Sequence, residues 1–555
     1  MMRLIRAAGV LLQPRYCSLT LILSLLFGSW STHASDPWSD WPLERRIAQM
    51  FIINLDSSIL TESGRDFLAA VQPGGIVLLP ENIGDPAAIT ILTNSYQQTI
   101  TTAGGVPLFV AVDQEGGVIA HLEQGFTTFP VLALMTAAAD PALAYRVGQV
   151  MAQEMAAVGV NLNLAPVADL ETNPANPIIR RRSFGSRPEQ VSPILAAYIA
   201  GLQSADVMGT AKHFPGHGET ATDSHIQLPT VDLSLDRLNA VELAPFRAAV
   251  EAGVGAIMVA HIWYPALDPV ENRPASLSPT VITDLLREQM GYDGLIMTDA
   301  LDMDAIDRAY SYPEAALLAV QAGADLILSA HVGLTSHQQA IALIAEAVRS
   351  GALPESRIDE SLRRILDAKA RFGILDWQPL DPAGASQRID RNAHERLVTE
   401  LFAAGTAVVF DRSDLLPLRA SESVVLAYPA TRPSIARQCQ AVLPDAHLIG
   451  VSASPSDEEI AWVRSSASRA DVIVYFTQNA DQDTRQVALV RALPPEKTIV
   501  AALWSPYDVL QFPEIAAYLV TYSPLDPAIP AVCAILSGAA PPHGQMVIAL
   551  PGLDG

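Results

Sequence analysis

The sequence predicts an α/β protein, a TIM-like (β/α)8 barrel followed by a smaller α/β sandwich domain. Eight short apolar segments recur between residues 50 and 330 with helix-length stretches between them, which is typical of a parallel barrel. Polar residues stand where several of these segments stop, and active sites of such barrels are built at the carboxyl ends of the strands. A second series of apolar runs follows beyond a polar segment, and it predicts the smaller domain.

The first domain is predicted over residues 35–376. Its expected strands are residues 50–55, 75–79, 108–113, 161–169, 209–213, 256–261, 295–299 and 325–329. A helix is predicted over 355–375, because its apolar residues fall on one stripe, with arginines, a lysine and acids opposite. Gly373 follows Phe372, the last residue of this stripe, as a stop signal.

The second domain is predicted over residues 391–555. Residues 377–390 are rich in Pro, Gly, Ser and Gln, a composition that indicates a linker. Beyond it, apolar runs alternate with helical patterns such as 458–470. The expected strands are residues 407–410, 424–428, 448–451, 472–476, 499–504 and 518–521.

The amino terminus has the pattern of a signal peptide. Three arginines precede an apolar run over 19–27, and Thr32, His33 and Ala34 then suit a signal peptidase. The run is too short for a comfortable membrane span. We therefore expect residues 1–34 to be cleaved near Ala34, giving an exported protein, periplasmic or extracellular, without stable membrane insertion.

The chain is strongly acidic, with a formal net charge of −24 that becomes −27 once residues 1–34 and their three arginines are removed. Such a surface repels nucleic acid and anionic membranes, so neither is an expected partner. Cys439 and Cys533 remain after cleavage. In an exported chain they allow one disulfide without requiring it, and the default expectation is that they are core residues.

Residues 212–229, KHFPGHGETATDSHIQLP, carry the densest set of reactive side chains. Glycines and a proline predict a loop that leaves a short strand, the kind of segment on which proteins place reactive groups. Asp223 and His225 are two residues apart, so a turning loop brings carboxylate and imidazole together. A carboxylate beside an imidazole orients the ring and makes it an effective proton donor and acceptor.

Polar side chains at the ends of the predicted strands form a second group. Asp299 ends the strand in LIMTDALDM, where a carboxylate acts either as a nucleophile or as a cap of the next helix. The other residues in this position are Asp113, Asp169, Lys212, His213 and His261. Because they share one end of a barrel, we expect them to face one site.

These motifs resemble glycoside hydrolase family 3, in its β-N-acetylglucosaminidase branch. The resemblance is carried by VDQEGG at 112–117, APVADLETNPANPIIRRRSFG at 165–185, the KHFPGHG loop with DSH, and MTDALDM at 297–303. It spans most of residues 40–375. The second domain is similar to the α/β sandwich of two-domain members, on weaker motifs.

The resemblance implies a retaining exo-β-N-acetylglucosaminidase that needs neither cofactor nor metal. Asp299 would be the nucleophile, and His225, tuned by Asp223, the acid and then the base. The residues that would hydrogen-bond the terminal N-acetylglucosamine are Asp113, Arg182, Lys212 and His213. Peptidoglycan fragments or chitooligosaccharides are the expected substrates.

Two positions depart from the family pattern. Members usually carry arginine directly after DQEGG and again three residues later, where this chain has Val118 and His121. Replacing arginine by histidine removes a fixed bidentate fork and a permanent charge, so His121 is expected to alter the sugar subsite. Glu219 stands where aspartate is common, which is a milder change.

Several alternatives stay open at this point. His213, His217, Asp223 and His225 are also metal-ligand types, which would suit a metal-dependent hydrolase. A catalytically degenerate glycan-binding protein, and a family member specific for glucosides or xylosides, are the others. The sequence leaves open the natural glycan, hydrolysis against phosphorolysis, the role of the second domain and the oligomeric state.

Overall fold

The computed structural model describes residues 38–224 and 226–553. The predicted signal peptide, 1–34, and the predicted acid/base His225 therefore lie outside the described residues.

Eight parallel strands form the first sheet, and each has a buried core face. They are β1 (Phe51–Ile53), β2 (Gly75–Leu78), β3 (Phe109–Val112), β4 (Leu162–Asn163), β5 (Met208–Phe214), β6 (Ala256–Val259), β7 (Leu295–Thr298) and β8 (Ile327–Leu328). Neighbours in the sheet are neighbours in the chain, and β8 pairs with β1. A parallel bridge between Met297 and Leu326 brings the two remaining edges together. The sheet is a nearly closed TIM-like barrel, so the predicted fold class is confirmed.

One helix follows each barrel strand, as right-handed β/α crossovers require. In chain order these are Glu62–Val71, Pro86–Thr102, Pro141–Ala156, Pro188–Gln203, Ala244–Glu251, the π-helix Thr280–Gln289, Tyr312–Ala322 and Leu334–Arg349. Several begin at a side chain that caps the free backbone N–H groups, as Asp85 does for Ala88. Short helices at Leu43–Ala48, Ala133–Ala138, Leu235–Arg237 and Asp304–Asp307 complete the layer.

The helix predicted over 355–375 is observed as Glu355–Arg371. Ile358, Leu362 and Ile365 are buried, and Gly373 follows at a φ of +65°. The expectation that its lysine lies opposite the apolar stripe is wrong. Lys369 is fully buried. Its Nζ donates to Gln49 Oε1 at 3.1 Å and lies 5.1 Å from the centre of the Phe109 ring, and these contacts stabilise it in the interior. Burial lowers the pKa of Lys369 to about 7.

The second sheet has six strands, one near each predicted position. They are β9 (Ala407–Asp411), β10 (Val424–Pro429), β11 (His447–Val451), β12 (Val472–Thr477), β13 (Thr498–Ala502) and β14 (Ala517–Val520). Their order is β9-β14-β13-β12-β10-β11, and all neighbours are parallel except β9 and β14. The helices of this region are Arg391–Gly405, Pro433–Val442, Asp457–Ala467, Thr484–Arg491 and Ala528–Ser537.

Cys439 and Cys533 join two of these helices. Both residues are buried, as the default expectation had them, and they also form a disulfide with a Cα to Cα distance of 5.0 Å. The optional disulfide is thus present, because the helices Pro433–Val442 and Ala528–Ser537 pack against each other.

The predicted linker, 377–390, contains two short 3-10 turns and lies against the barrel. Asn94 Nδ2 donates to the carbonyl of Leu380 at 2.8 Å, and the Arg388 guanidinium donates to the carbonyl of Ala157 at 2.8 and 3.0 Å. The division into domains at residues 376 and 390 remains a prediction from the sequence. Over the described ranges, no helix combines the length and apolarity needed to cross a bilayer.

Candidate active site

A cavity of about 460 Å³ opens at the carboxyl ends of the barrel strands. Its volume lies within the range of small-molecule sites. The predicted residues that line it are Asp113, His121, Arg182, Lys212, His213 and Asp299. The structure thus brings together side chains that are separated by up to 186 positions in the sequence.

Lys212 and Glu115 form the centre of an ionic cluster in this cavity. Lys212 Nζ lies 2.5 Å from Asp113 Oδ1 and 2.8 Å from Glu115 Oε1. Arg182 donates to the same Glu115 carboxylate from Nε and Nη2, at 2.9 and 2.8 Å. Two cations therefore share one fully buried carboxylate, and Asp113 closes the cluster toward the cavity.

Glu115, Lys212 and Arg182 are held in their charged forms by their neighbours in this cluster. Burial acts to raise the pKa of Glu115, but Lys212 and Arg182 outweigh burial and lower that pKa to about 2. Burial acts to lower the pKa of Lys212, and Asp113 and Glu115 raise it above the ordinary value. Arg182 likewise has a raised pKa, because Glu115 outweighs its burial.

His213 sits at the end of β5 and is oriented by Asp169. Its Nδ1 lies 2.7 Å from Asp169 Oδ2, and its backbone N–H donates to the same carboxylate. Burial, with Arg182 next to it, holds the pKa of His213 well below the ordinary value, so the ring is neutral at pH 7. Because Nδ1–H donates to Asp169, Nε2 is the acceptor, and Arg182 Nη2 lies 3.5 Å from it.

The loop after β5 runs over the cavity. His217 is held by its backbone N–H, which donates to Asp169 Oδ1 at 2.7 Å, and by its two ring nitrogens, which lie 2.9 Å from Thr220 Oγ1 and 3.0 Å from Ser224 Oγ. His217 and Ser224 line the cavity together with Asp299. The described part of the 213–228 loop therefore reaches the site of Asp299.

Gly218 allows this loop to lie against the segment that follows β4. A Cβ at this position would stand 1.7 Å from the carbonyl oxygen of Leu170, so only glycine fits. Further along, the backbone N–H groups of Ile226 and Gln227 donate to the carbonyl of Asp223 at 3.0 and 3.2 Å. The chain thus turns back at Asp223, the position from which the predicted dyad begins.

Asp299 directly follows β7. Its carboxylate accepts the backbone N–H of Ala300 at 2.8 Å. Burial acts to raise its pKa, but His261, His213, this N–H and the Lys212 charge outweigh burial, and the pKa lies below the ordinary value. At neutral pH, where His213 is uncharged, the Ala300 N–H and Lys212 still act. Asp299 is therefore an ionised carboxylate that lines the cavity.

Glu115 and Asp302 were not predicted as site residues, and Asp169 was predicted only as one of the strand-end residues expected to face the site. Glu115 and Asp169 hold the cations and the histidines described above. Asp302 lines the cavity and accepts the backbone N–H groups of Ala330 and His331 at 2.9 and 2.7 Å, which ties the loop after β7 to the loop after β8. The sequence pointed to Asp169 because it ends a predicted strand, whereas Glu115 appeared only within the family motif DQEGG.

The two departures from the family pattern lie in different surroundings. His121 lines the cavity. Val118 is 46% exposed and does not line it. Of the two, His121 is the one in position to affect the sugar subsite.

The described residues include one cluster with metal-ligand geometry, Asp56, Glu81 and His331, whose ligand atoms lie within 4.8 Å of one another. These exposed side chains follow β1, β2 and β8 at the rim. The metal alternative from the sequence involved other histidines. Of these, His217 uses both ring nitrogens in hydrogen bonds with Thr220 and Ser224, whereas His213 uses Nδ1 on Asp169 and keeps Nε2 toward the cavity.

Comparison with known proteins identifies the family. The glycosyl hydrolase family 3 N terminal domain matches residues 42–368, more than half of the chain. The chain belongs to glycosyl hydrolase family 3. This confirms the resemblance seen in the motifs and makes the protein a glycoside hydrolase by family.

Related proteins of this family cover the chain to different extents. The β-hexosaminidase A of Pseudoalteromonas piscicida is 34% identical over 380 residues, a match that spans 65% of this chain and 63% of that protein. The β-hexosaminidase of Tolumonas auensis is 36% identical over 281 residues, spanning 50% of this chain and 81% of that protein. The family 3 β-N-acetylglucosaminidase from Paenibacillus sp. str. FPU-7 has a TM-score of 0.80 and 32% identity, covering 92% of this chain and 99% of its own.

Proposed function

We propose that this family 3 hydrolase is an exported retaining exo-β-N-acetylglucosaminidase. It removes terminal β-linked N-acetylglucosamine from peptidoglycan fragments or chitooligosaccharides. One observation carries the proposal: an ionised Asp299 shares a small cavity with Asp113, Arg182 and Lys212, in a fold that matches a family 3 β-N-acetylglucosaminidase over nearly its full length.

The polar groups of the cavity suit a sugar ring. Lys212 has three N–H donors and uses two on Asp113 and Glu115, which leaves one for a sugar hydroxyl. Asp113 uses one oxygen on Lys212 and presents the other to the cavity. Arg182 and His213 Nε2 complete a rim of donors and acceptors, and His121 extends it.

The first step of the reaction forms a covalent glycosyl-enzyme. An oxygen of Asp299 attacks the anomeric carbon as the glycosidic C–O bond breaks, and His225 gives its proton to the leaving oxygen. Asp223 orients the His225 ring and favours its protonated form. Because His225 lies outside the described residues, its role rests on the DSH motif and on the course of the loop up to Ser224.

The second step releases the sugar. His225 takes a proton from water, the resulting nucleophile attacks the anomeric carbon, and the bond to Asp299 breaks. Two displacements at the same carbon give net retention of the anomeric configuration.

The decisive test is product analysis on purified protein. The proposal expects release of N-acetylglucosamine from the non-reducing end of chitobiose and muropeptides, with the β-anomer appearing first in proton NMR spectra. Nitrophenyl β-glucoside and β-xyloside serve as matched substrates, and faster turnover of either would reassign the specificity. Binding of N-acetylglucosamine without any turnover would instead indicate a glycan-binding protein.

A chelator arm tests the metal alternative. Turnover of a nitrophenyl β-N-acetylglucosaminide should be unchanged after treatment with a chelator. Loss of activity that zinc restores would contradict the proposed mechanism.

A further inference from the structure

The loop after β4, residues 171–186, connects the cavity to the second domain. We call it the bridging segment. It contains the three consecutive arginines Arg180, Arg181 and Arg182, which form a 3-10 turn. Arg182 points to Glu115 in the cavity, whereas the other two contact residues beyond position 400.

Arg180 and Arg181 are bound at the carboxyl ends of β12 and β13. Arg180 Nη2 lies 3.1 Å from Asp481 Oδ2, and Arg181 Nη2 donates to Asn479 Oδ1 at 3.0 Å. The Arg181 guanidinium also stacks over the Trp504 ring, 4.2 Å from its centre. In an open α/β sheet this edge is the usual place for a ligand. In this protein the edge is occupied by two side chains from the barrel, Arg180 and Arg181.

A buried hydrogen bond fixes the start of the bridging segment to the same edge. Tyr507 donates from its hydroxyl to Glu171 Oε1 at 2.7 Å, and both residues are buried. The Arg180 guanidinium lies 5.1 Å from the centre of the Tyr507 ring. Both the start of the segment and its arginine turn are therefore attached to the second domain.

The bridging segment in turn holds the loop after β5. Asn176 is fully buried, and its Nδ2 donates to the carbonyls of His217 and Gly218, both at 2.9 Å. Its Oδ1 accepts the backbone N–H groups of Ile178 and Ile179 at 2.8 Å. A shift of the arginine turn would therefore move both Arg182 and the loop that carries the predicted dyad.

We propose that the second domain positions the active site, with Asn479, Asp481, Trp504 and Tyr507 acting as positioning residues that hold Arg182 and the loop after β5 through the bridging segment. The positioning role rests on the proposed function, because its kinetic test measures the KM of the proposed activity. None of the four residues lines the cavity, so their effect on substrate is indirect.

Two variants of the second domain test the proposal, Asp481→Ala and Trp504→Ala. We expect the KM for a nitrophenyl β-N-acetylglucosaminide to rise about tenfold, since small displacements of substrate-binding groups have effects of this order. The kcat should fall less than kcat/KM, because the nucleophile is untouched. Hydrogen exchange should rise in peptides from 171–186 and 216–224.

A matched control breaks another contact between the barrel and the following part of the chain. Glu400 binds Arg146 through two hydrogen bonds at 2.7 and 2.8 Å, away from the bridging segment. Glu400→Gln should change neither KM nor exchange in the two peptides. An equal rise in KM in this control would overturn the proposal, because it would show a general effect of loosening the interface.

A charge exchange keeps the test decisive if the alanine variants fold poorly. Arg180→Asp alone should raise KM, and adding Asp481→Arg should restore most of it. Tyr507→Phe, which removes one hydroxyl, should raise exchange in the 171–186 peptide more than in the rest of the barrel. Unchanged exchange and unchanged KM in the folded variants would contradict the proposal.

Failure of the proposed function would give a different result, because the unaltered protein would then show no turnover. The exchange data would still decide whether the second domain positions the bridging segment.

Discussion

Arg182 binds Glu115 through two parallel hydrogen bonds, from Nε at 2.9 Å and from Nη2 at 2.8 Å. This bidentate pair, shared with Lys212, keeps both cations in the cavity and leaves their remaining donors directed to a ligand. Glu115 therefore positions Arg182 and Lys212. Asp113, which is partly exposed to the cavity, is the carboxylate available to a sugar.

Removing the charge of Glu115 should destabilise the fold. Glu115→Gln leaves Arg182 and Lys212 buried with too little negative charge, and breaking such a buried pair costs about 3 kcal/mol. The free energy of unfolding from denaturant titration measures this. The control is Asp367→Asn, which breaks an exposed ion pair with Arg363 and should change that free energy by less than about 0.5 kcal/mol. Equal effects in the two variants would contradict the holding role.

Removing the nucleophile should abolish turnover while leaving sugar binding. For Asp299→Asn we expect kcat to fall by at least about 10³-fold, since loss of a nucleophile removes the covalent route. N-Acetylglucosamine binding, measured by calorimetry, should persist because the ionic cluster is intact. Asp307→Asn, on an exposed position of the following helix, is the matched control and should be fully active. Substantial activity in the Asp299 variant would assign the nucleophile elsewhere.

Removing the proposed acid should affect substrates according to their leaving groups. His225→Ala should lower kcat/KM for chitobiose by about 10²-fold or more, whereas a dinitrophenyl glycoside, which needs little protonation, should lose much less in the first step. Steady-state rates on both substrates measure the difference. Equal losses on the two would count against His225 as the acid.

Glu171 should make the interface with the second domain sensitive to pH. Burial raises its pKa to about 7, against the partial opposition of Tyr507, Arg180 and Arg181. A carboxyl whose pKa is raised on folding binds its proton more tightly in the folded state, so stability is highest below the unfolded pKa and falls as pH rises toward 7. Glu171→Gln should remove this loss. Unfolding midpoints at pH 5 and pH 8 test it: the midpoint should fall less in the variant than in the unaltered protein, and identical changes would contradict the assignment.

His121 should limit affinity for the sugar. His121→Arg restores the residue usual in the family at a position that lines the cavity, and a guanidinium fork adds hydrogen bonds that imidazole cannot make. We expect KM for the aryl N-acetylglucosaminide to fall by about threefold to tenfold, the range for the net contribution of one typical hydrogen bond. Val118→Arg is the control, because this exposed residue lies outside the cavity lining, and its KM should not change. A rise in KM for His121→Arg would show that the subsite is built around histidine.

Much of the fold could be predicted because a parallel barrel repeats a local pattern. Each buried strand is a short apolar run, and each of the eight predicted runs overlaps an observed strand. Lys369 shows the limit of this approach. A helical wheel places a lysine on the polar face, but Gln49 and the Phe109 ring, both distant in the chain, receive it in the interior.

The sequence by itself determined the barrel, the α/β second domain and the set of polar residues that end the strands, because these follow from local hydrophobic periodicity and from the position of strand ends. Only the tertiary structure decided which charges share Glu115, how Asp169 orients His213, and that Arg180 and Arg181 are bound by the second domain. Those relationships depend on distances between segments far apart in the chain. A linear pattern carries no information on such distances. The three consecutive arginines look alike in the sequence, and only the fold shows that one faces the cavity and two face the second domain.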